Sequence, residues 1–219
     1  MADWRSRALL FDMDGTLVDS HHLVERTWAE FADRHGLQIE TILAFSHGRP
    51  TGATVREFLG DGDRARAETR RQVALEESCL DGVREVPGAA RLLAALPADR
   101  WAVVTSANRT LAERRLTAAG LPMPDVLIGS DDVTRGKPDP EGFLRAAALL
   151  DAEITQCTVF EDSPAGLAAA LASGARTVAV AAADPLGLPS VDDLTQLTVS
   201  FAPEGGSTPL TVSLPGARA

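Results

Sequence analysis

The pattern of apolar and polar positions divides the chain into parts of different character. Arg7 to Phe11 is a short apolar run typical of a buried strand, and it ends directly in the acidic segment DMDGT. The segment from Asp19 to Leu80 has helical periodicity, many charges and no strand pattern. From Val86 onward, apolar strand-like runs alternate with helical segments of about ten residues.

The alternating part predicts an α/β fold with a Rossmann-like parallel sheet, because strands in the same direction need right-handed helical crossovers. The predicted strands after the first are WAVVTS, DVLIGS, CTVFED and ARTVAVAA. The intervening predicted helices are PGAARLLAAL, RTLAERRLTAAG, PEGFLRAAALL and SPAGLAAALASG. The tail LTVSFAPEGGSTPLTVSL, from Leu197 onward, predicts a hairpin that turns at Glu204 to Ser207.

The polar segment near the N-terminus predicts a small all-α insert. Its helices are expected in HHLVERTWAEFADRHG and over Ile39 to Phe45, Thr54 to Leu59 and Arg64 to Leu80. We interpret the mixed charges of RARAETRRQVALEES as a solvated helix face. The expected division is therefore an α/β core of residues 1–18 and 84–219, interrupted by an inserted helical domain of residues 19–83.

Composition narrows the classes of function. The 219 residues carry a net charge of −10, so nonspecific binding to nucleic acid or an anionic membrane surface is disfavoured. A small anionic substrate remains possible if local cations and a metal ion offset this field. Two cysteines at no motif spacing favour a reducing cytoplasm, and the N-terminal apolar run is too short for a signal peptide. We expect a cytoplasmic protein without a membrane span, and a monomer by default.

Chemically unusual residues follow four of the predicted strands. Carboxyl ends of parallel strands meet at one edge of a sheet, where ligands bind. Taken alone, each residue has an ordinary explanation as a turn, a helix cap or an exposed side chain. Gathered together, several carboxylates would repel one another unless a cation lay between them, and Asp-rich oxygen ligands favour Mg²⁺. The residues are Asp12 and Asp14, Thr105 and Ser106, Lys137, and Glu161 and Asp162.

These segments carry a family resemblance. DMDGTLVDS, VVTSAN, the lysine of GKPDP and FEDSPAG resemble the four signature motifs of haloacid dehalogenase (HAD) superfamily phosphohydrolases, in the same order and at similar separations. The helical insert resembles the cap domain of that superfamily. SHGRPTGATVREF, EVPGAARLL and WAVVTSANR further resemble the sugar and polyol phosphatases of the 2-deoxyglucose-6-phosphatase, glycerol-1-phosphatase and hexitol phosphatase type. The resemblance implies a Mg²⁺-dependent phosphomonoester hydrolase acting on small sugar or polyol phosphates.

The same resemblance implies roles for the acidic residues. Asp12 would attack phosphorus and form an aspartyl-phosphate, and Asp14 would act as general acid and then general base. Mg²⁺ would be held by Asp12, the backbone carbonyl of Asp14 and Asp162, with Glu161 as a ligand or just behind the ligands.

The remaining implied roles concern phosphate and leaving group. Lys137, Thr105 and the backbone N–H groups of Ser106 and Ala107 would hold the phosphate. The implied substrate contacts are Ser106, Asn108, His47 and Arg49. His21, His22 and His35 are instead expected to be structural or surface residues, with His35 at a helix C-terminus.

Alternatives remain open beside the phosphatase. A phosphoglucomutase of the same superfamily would carry a histidine twelve residues after the nucleophile, where this chain has Val24, and often lacks the threonine found here at Thr16. A haloacid dehalogenase would not need the acidic pair of the fourth motif, and a phosphonate hydrolase would need a lysine in the insert, whereas Lys137 is the only lysine. A non-catalytic small-molecule-binding protein is the rival from a different class.

Overall fold

The computed structural model describes residues 2–200 and 209–214. Their strands are β1 (Ala2–Ser6), β2 (Ala8–Phe11), β3 (Val18–Asp19), β4 (Arg84–Glu85), β5 (Trp101–Val104), β6 (Val126–Ile128), β7 (Cys157–Glu161), β8 (Arg176–Val180), β9 (Ser190–Val191), β10 (Thr198–Ser200) and β11 (Leu210–Leu214). The helices are α1 (His21–His35), α2 (Ile39–Ser46), α3 (Thr51–Leu59), α4 (Asp63–Ser78), α5 (Ala89–Ala94), α6 (Arg109–Ala118), α7 (Glu141–Leu149) and α8 (Pro164–Ser173).

A parallel sheet forms the centre of the molecule. Its strand order is β6–β5–β2–β7–β8–β9, and every neighbouring pair is parallel. All residues of β2 and β5 are buried, as expected for strands covered on both faces. The predicted Rossmann-like α/β fold is confirmed.

The alternation of side chains along β2 separates the two faces of the sheet. Leu9 and Phe11 belong to a core that also includes buried residues of α5 and α6, whereas Ala8 and Leu10 belong to a second core with residues of α7 and α8. Because successive side chains of a strand point to opposite faces, one short apolar strand contributes to both cores. The acids that follow β2 are therefore mounted on a rigid, doubly packed element.

The four helices α1–α4, called here the helical insert, have a small core of their own. Trp28 and Phe31 meet edge to face, with ring centroids 5.3 Å apart, beside Ile42 and Val55. His35 is the last residue of α1, as expected from the sequence.

Two short connections join the insert to the sheet. They are β3 and β4, which pair antiparallel with Val18 opposite Glu85. Beyond this pair, the N–H of Val86 donates to the carbonyl of Leu17 at 2.8 Å. The chain therefore leaves and re-enters the core at adjacent points.

One prediction about α4 is wrong in part. Its mixed charges were expected on a solvated face, but Ala65, Gln72 and Glu76 are buried. Packing of α4 against α3, α1 and α6 covers this side of the helix, which charge composition alone does not reveal.

The two ends of the described chain form a separate small sheet of order β1–β11–β10. The first predicted strand begins at Ala8 rather than Arg7 and is preceded by β1, which the sequence analysis missed. The predicted antiparallel pairing of the tail is confirmed by β10 and β11. Its expected turn at Glu204 to Ser207 lies outside the described residues.

Two further findings concern the environment expected from composition. Cys79 and Cys157 are both free thiols. Among the described residues, no helix has the length and hydropathy needed to cross a membrane.

Candidate active site

The residues that follow β2, β5, β6 and β7 lie along one edge of the sheet, beneath the helical insert. These four strands are neighbours in the order β6–β5–β2–β7, so their carboxyl ends are adjacent. A cavity of about 100 Å³ separates this edge from the insert. Asp12 and Asp14 line it from the core, and His47, Arg49 and Glu76 line it from the insert.

Three buried carboxylates converge at this edge. Asp12, Glu161 and Asp162 each place a carboxylate oxygen within 4.8 Å of the others. The N–H of Asp12 donates to the carbonyl of Phe160 at 3.0 Å, which extends the β2–β7 pairing to the first acid. Sheet pairing therefore fixes the spacing between Asp12 and the acidic pair.

Lys137 is the cation inserted among these acids. Its Nζ donates to Asp12 Oδ1, and to Glu161 Oε1 at 2.6 Å. Glu161 also accepts from the N–H of Ser163 at 2.8 Å and from the Ser163 hydroxyl at 3.0 Å, through Oε2. Glu161 therefore acts in this arrangement as a buried support that holds Lys137 against Asp12.

Burial dominates the electrostatics of the cluster. It raises the pKa of Asp12 well above the ordinary range, helped by Glu161 and Asp162 and opposed by Lys137. Burial likewise raises the pKa of Glu161. For Lys137, burial acts to lower the pKa, but Asp12 and Glu161 outweigh it and raise the pKa above its usual value. A charged lysine thus contacts two of three clustered acids, and because the acids outnumber it, the cluster favours further positive charge.

The turn after β2 is shaped around Asp162. Gly15 has φ +88°, and a Cβ at this position would lie 2.1 Å from Asp162 Oδ2. The hydroxyl of Thr16 donates to Asp162 Oδ1 at 3.3 Å. Only glycine allows the backbone to approach the carboxylate this closely, which explains the Asp-Gly-Thr order in physical terms.

The residues present fit a hard divalent cation. The donors are carboxylate oxygens, the class of ligand that Mg²⁺ prefers. The close approach of Gly15 to Asp162 forms a cradle that any side chain would fill. An acidic cluster of this kind is consistent with a divalent metal.

The carboxylate of Asp14 is not part of the cluster of three acids and has partners of its own. Its Oδ1 accepts from the Ser20 hydroxyl at 2.6 Å, and its Oδ2 accepts from Arg115 Nη1 at 2.8 Å. Arg115 is buried on α6, whereas the Asp14 side chain is 24% exposed and lines the cavity. Asp12 and Asp14 thus present two carboxylates to one cavity in different environments.

The loop between β5 and α6 joins the sheet to the insert. Thr105 is buried, and its Oγ1 accepts from the N–H of Ala107 at 3.1 Å. The Ser106 hydroxyl donates to the carbonyl of Gly48 in the insert at 2.8 Å.

Asn108 is occupied by structural contacts. Its Oδ1 caps α6 by accepting from the N–H of Leu111 at 2.8 Å, and its Nδ2 donates to Glu77 Oε1 at 2.9 Å. Its side chain therefore braces α6 against α4, and Asn108 is absent from the described lining of the cavity that holds Asp12.

His47 and Arg49 reach the cavity from the loop between α2 and α3. Nε2 of His47 lies 2.9 Å from Asp162 Oδ2, and this hydrogen bond raises the pKa of His47. The guanidinium of Arg49 stacks 4.6 Å from the ring centroid of Phe45. Both side chains line the cavity, and His47 contacts an acid of the core, while their predicted contact with substrate stays a prediction.

Several lining residues were not predicted as site residues, and the titratable ones among them are His21, Glu76 and Arg115. His21, expected to be a structural or surface residue, is exposed and also borders the cavity. Arg115 had a usable signal, because it follows Leu111 by one helical repeat and so falls on the buried face of α6.

A family model describing haloacid dehalogenase-like hydrolases matches residues 6–174. The chain belongs to this family. The match includes all four strand-end segments and the helical insert, so the resemblance inferred from the motifs is confirmed.

Curated HAD relatives cover most of the chain. Hexitol phosphatase A of Escherichia coli (strain K12) is 41% identical, over 92% of this chain and 97% of the relative. 2-Deoxyglucose-6-phosphate phosphatase 1 of Saccharomyces cerevisiae is 36% identical, over 82% of each. Glycerol-1-phosphate phosphohydrolase 2 of the same yeast is 32% identical, over 80% of this chain and 74% of the relative.

A solved HAD-type structure agrees with the fold. CbbY from Rhodobacter sphaeroides, in complex with phosphate, matches with a TM-score of 0.69 and 26% identity, over 87% of this chain and 96% of that chain. The curated relatives are named phosphatases. The prediction of a HAD phosphatase, a phosphoric monoester hydrolase, is confirmed.

Proposed function

We propose that the protein is a Mg²⁺-dependent hydrolase of small sugar or polyol phosphates that works through an aspartyl-phosphate on Asp12. The observation that carries this proposal is the placement of Asp12 at a cavity, with Lys137 bonded to it and Asp14 beside it. The named activities of the hexitol, deoxyglucose and glycerol phosphate phosphatases support the substrate class.

The metal ion would be held by the carboxylates of Asp12 and Asp162 and the backbone carbonyl of Asp14. Glu161 would support the site through Lys137, because its two oxygens already accept from Lys137 and Ser163. When bound, Mg²⁺ would neutralise the clustered carboxylates and stabilise negative charge on the phosphoryl oxygens.

The reaction follows in two displacements. A carboxylate oxygen of Asp12 attacks phosphorus, the bond from phosphorus to the leaving oxygen breaks, and that oxygen takes a proton from Asp14. Water then attacks the aspartyl-phosphate and gives a proton to Asp14, and inorganic phosphate departs as the Asp12 carboxylate re-forms. Ser20 and Arg115 hold the carboxylate of Asp14 at the cavity in both steps.

Phosphate binding is assigned to the loop after β5 and to Lys137. Because Thr105 Oγ1 accepts from Ala107, the hydroxyl proton of Thr105 remains available for a phosphoryl oxygen. The N–H group of Ser106 is a further donor, whereas that of Ala107 donates to Thr105 in this structure and would have to turn to phosphate. Lys137 offsets the charge of Asp12, so that an anionic phosphate can approach another anion.

The helical insert would serve as a cap over residues 1–18 and 84–219, with its own bounds at 19–83. Its loop presents His47 and Arg49 to the leaving group, and closure would exclude bulk water. Because a net charge of −10 disfavours binding to polyanions, we propose a cytoplasmic monomer that binds neither nucleic acid nor membrane.

The test is phosphate release from a panel of sugar, polyol, nucleotide and amino-acid phosphates, with Mg²⁺ or with a chelator. Asp12→Asn should abolish release, whereas Asp125→Asn, an exposed acid at the opposite end of a strand, should leave it unchanged. Retained turnover in Asp12→Asn would exclude the covalent route. Interconversion of glucose phosphates without release would identify the mutase instead.

A further inference from the structure

Glu76 is a buried acid for which the proposed reaction has no role. It lies near the end of α4, is 6% exposed, and lines the same cavity as Asp12 and Asp14 from the opposite side. Burying a carboxylate away from water lowers the free energy of unfolding unless the carboxylate is paired with hydrogen-bond donors or cations. Glu76 is therefore a candidate for a role toward substrate.

The contacts of Glu76 leave it able to bind more donors. Its Oε2 accepts from the hydroxyl of Thr51, at the start of α3, at 2.9 Å. A carboxylate has about four acceptor positions, so further hydroxyl donors can be accommodated. Burial raises the pKa of Glu76 to about 7, while Arg115 lowers it and Asp14 raises it. Near neutral pH, a substantial fraction of Glu76 is thus a charged acceptor.

We propose that Glu76 accepts hydrogen bonds from hydroxyl groups of the leaving group and so selects hydroxylated phosphate esters. The inference rests on the proposed function, because it supposes a phosphoryl group at Asp12 and a leaving group that extends toward the insert. Sugars and polyols offer several hydroxyl donors, which an acceptor-only carboxylate can bind. The same negative charge repels a second phosphate or a carboxylate on the substrate.

The surroundings of Glu76 favour this direction of binding. Arg115 bonds to Asp14 and also acts electrostatically on Glu76, so one guanidinium links the proton donor and the acceptor on the insert. Asp14 must contact the leaving oxygen, and Glu76 lies on the side of the cavity beyond it, on the insert. A leaving group that occupies the cavity from Asp14 toward the insert can therefore reach Glu76.

The experiment compares two esters in three proteins. The esters are a hexitol phosphate and p-nitrophenyl phosphate, whose leaving group has no alcohol hydroxyls. The proteins are the wild type, Glu76→Gln, and Glu57→Gln, which removes an exposed acid of α3 as the matched control. We expect Glu76→Gln to lower kcat/KM for the hexitol phosphate about 10- to 100-fold, mainly through KM. Rates with the aryl ester and rates of Glu57→Gln should stay close to wild type.

Equal losses on both esters would show a structural role and overturn the inference, as would no loss on the hexitol ester. The aryl ester rate also reports whether Glu76→Gln is folded. If that variant does not fold, the wild type decides: hexyl phosphate, which lacks the hydroxyls, should be turned over less efficiently than the hexitol phosphate, and equal efficiency would overturn the inference. A wild type that releases no phosphate from any ester would instead refute the proposed function, and this inference with it.

Discussion

Replacing Glu76 by glutamine should make the protein more stable at alkaline pH, although it weakens the proposed substrate contact. Burial raises the pKa of Glu76 from its ordinary value of 4.5 to about 7. Each pKa unit of difference between the folded and unfolded states corresponds to about 1.4 kcal/mol. Ionisation of Glu76 therefore lowers the free energy of unfolding by up to about 3 kcal/mol. An amide of similar shape can still accept from Thr51 and never ionises.

The sign of the pH dependence follows from proton binding. Between pH 4.5 and about 7, folded Glu76 holds a proton that the unfolded chain has lost, so the wild type loses stability as the pH rises through this window. Above pH 7 both states are ionised and the cost is constant. Glu76→Gln lacks this loss, so its advantage should be near zero at pH 4.5 and reach about 3 kcal/mol at pH 8.

Denaturant unfolding at pH 4.5, 6 and 8, with a chelator present throughout, measures this difference directly. At pH 8 the same effect corresponds to a Tm increase of roughly 6–12 °C for a chain of this size. Glu57→Gln is the control, and its stability difference should not change with pH in this pattern. A difference in unfolding free energy between Glu76→Gln and wild type that does not change from pH 4.5 to pH 8 would refute the raised pKa of this carboxyl.

Two further substitutions test separate features. Gly15→Ala should abolish metal-dependent activity, because the added Cβ would collide with the Asp162 carboxylate. The control Gly36→Ala, at φ +64° with open space around it, should lower the free energy of unfolding by only about 1 kcal/mol and keep activity. Similar activity in the two variants would contradict this reasoning. Thr54→Val should be neutral or stabilising by up to about 1 kcal/mol, because its buried hydroxyl has no partner within the described part of the chain. Thr27→Val should lose about 1 kcal/mol with its hydrogen bond, and chemical unfolding distinguishes these outcomes.

The acidic edge of the sheet could be predicted from short stretches of the sequence. Asp12 and Asp162 each end an apolar strand, and parallel strands bring their carboxyl ends to one edge whatever their order. The strand order itself was not needed to place these two acids together. The strand pattern was not enough to assign Lys137 to the site, because Lys137 lies in a loop well after β6. The family resemblance supplied that assignment.

Glu76 could not be recognised in the same way, and the helical spacing of Arg115 from Leu111 indicates only that Arg115 is buried. Each is a charged residue in a helix rich in charges, and each is buried by packing between the core and the insert. The spacing of apolar residues along a helix identifies the face that packs on the nearest hydrophobic core. It gives little information about a polar interface between the core and the helical insert. β1 was missed for a related reason, because Ala2 pairs with Leu214 near the other end of the chain.

The paired connections β3 and β4 make the helical insert an exchangeable module. Its two ends are held side by side, with Val18 opposite Glu85 and Arg84 bonded to Asp19. Any segment whose two ends lie about 5 Å apart, the spacing of paired strands, could be inserted there without a change in the strand order of the sheet. Exchange at this ribbon would replace the proposed leaving-group pocket while Asp12, Lys137 and Asp162 stay in place, so substrate preference could change without a change in the proposed chemistry.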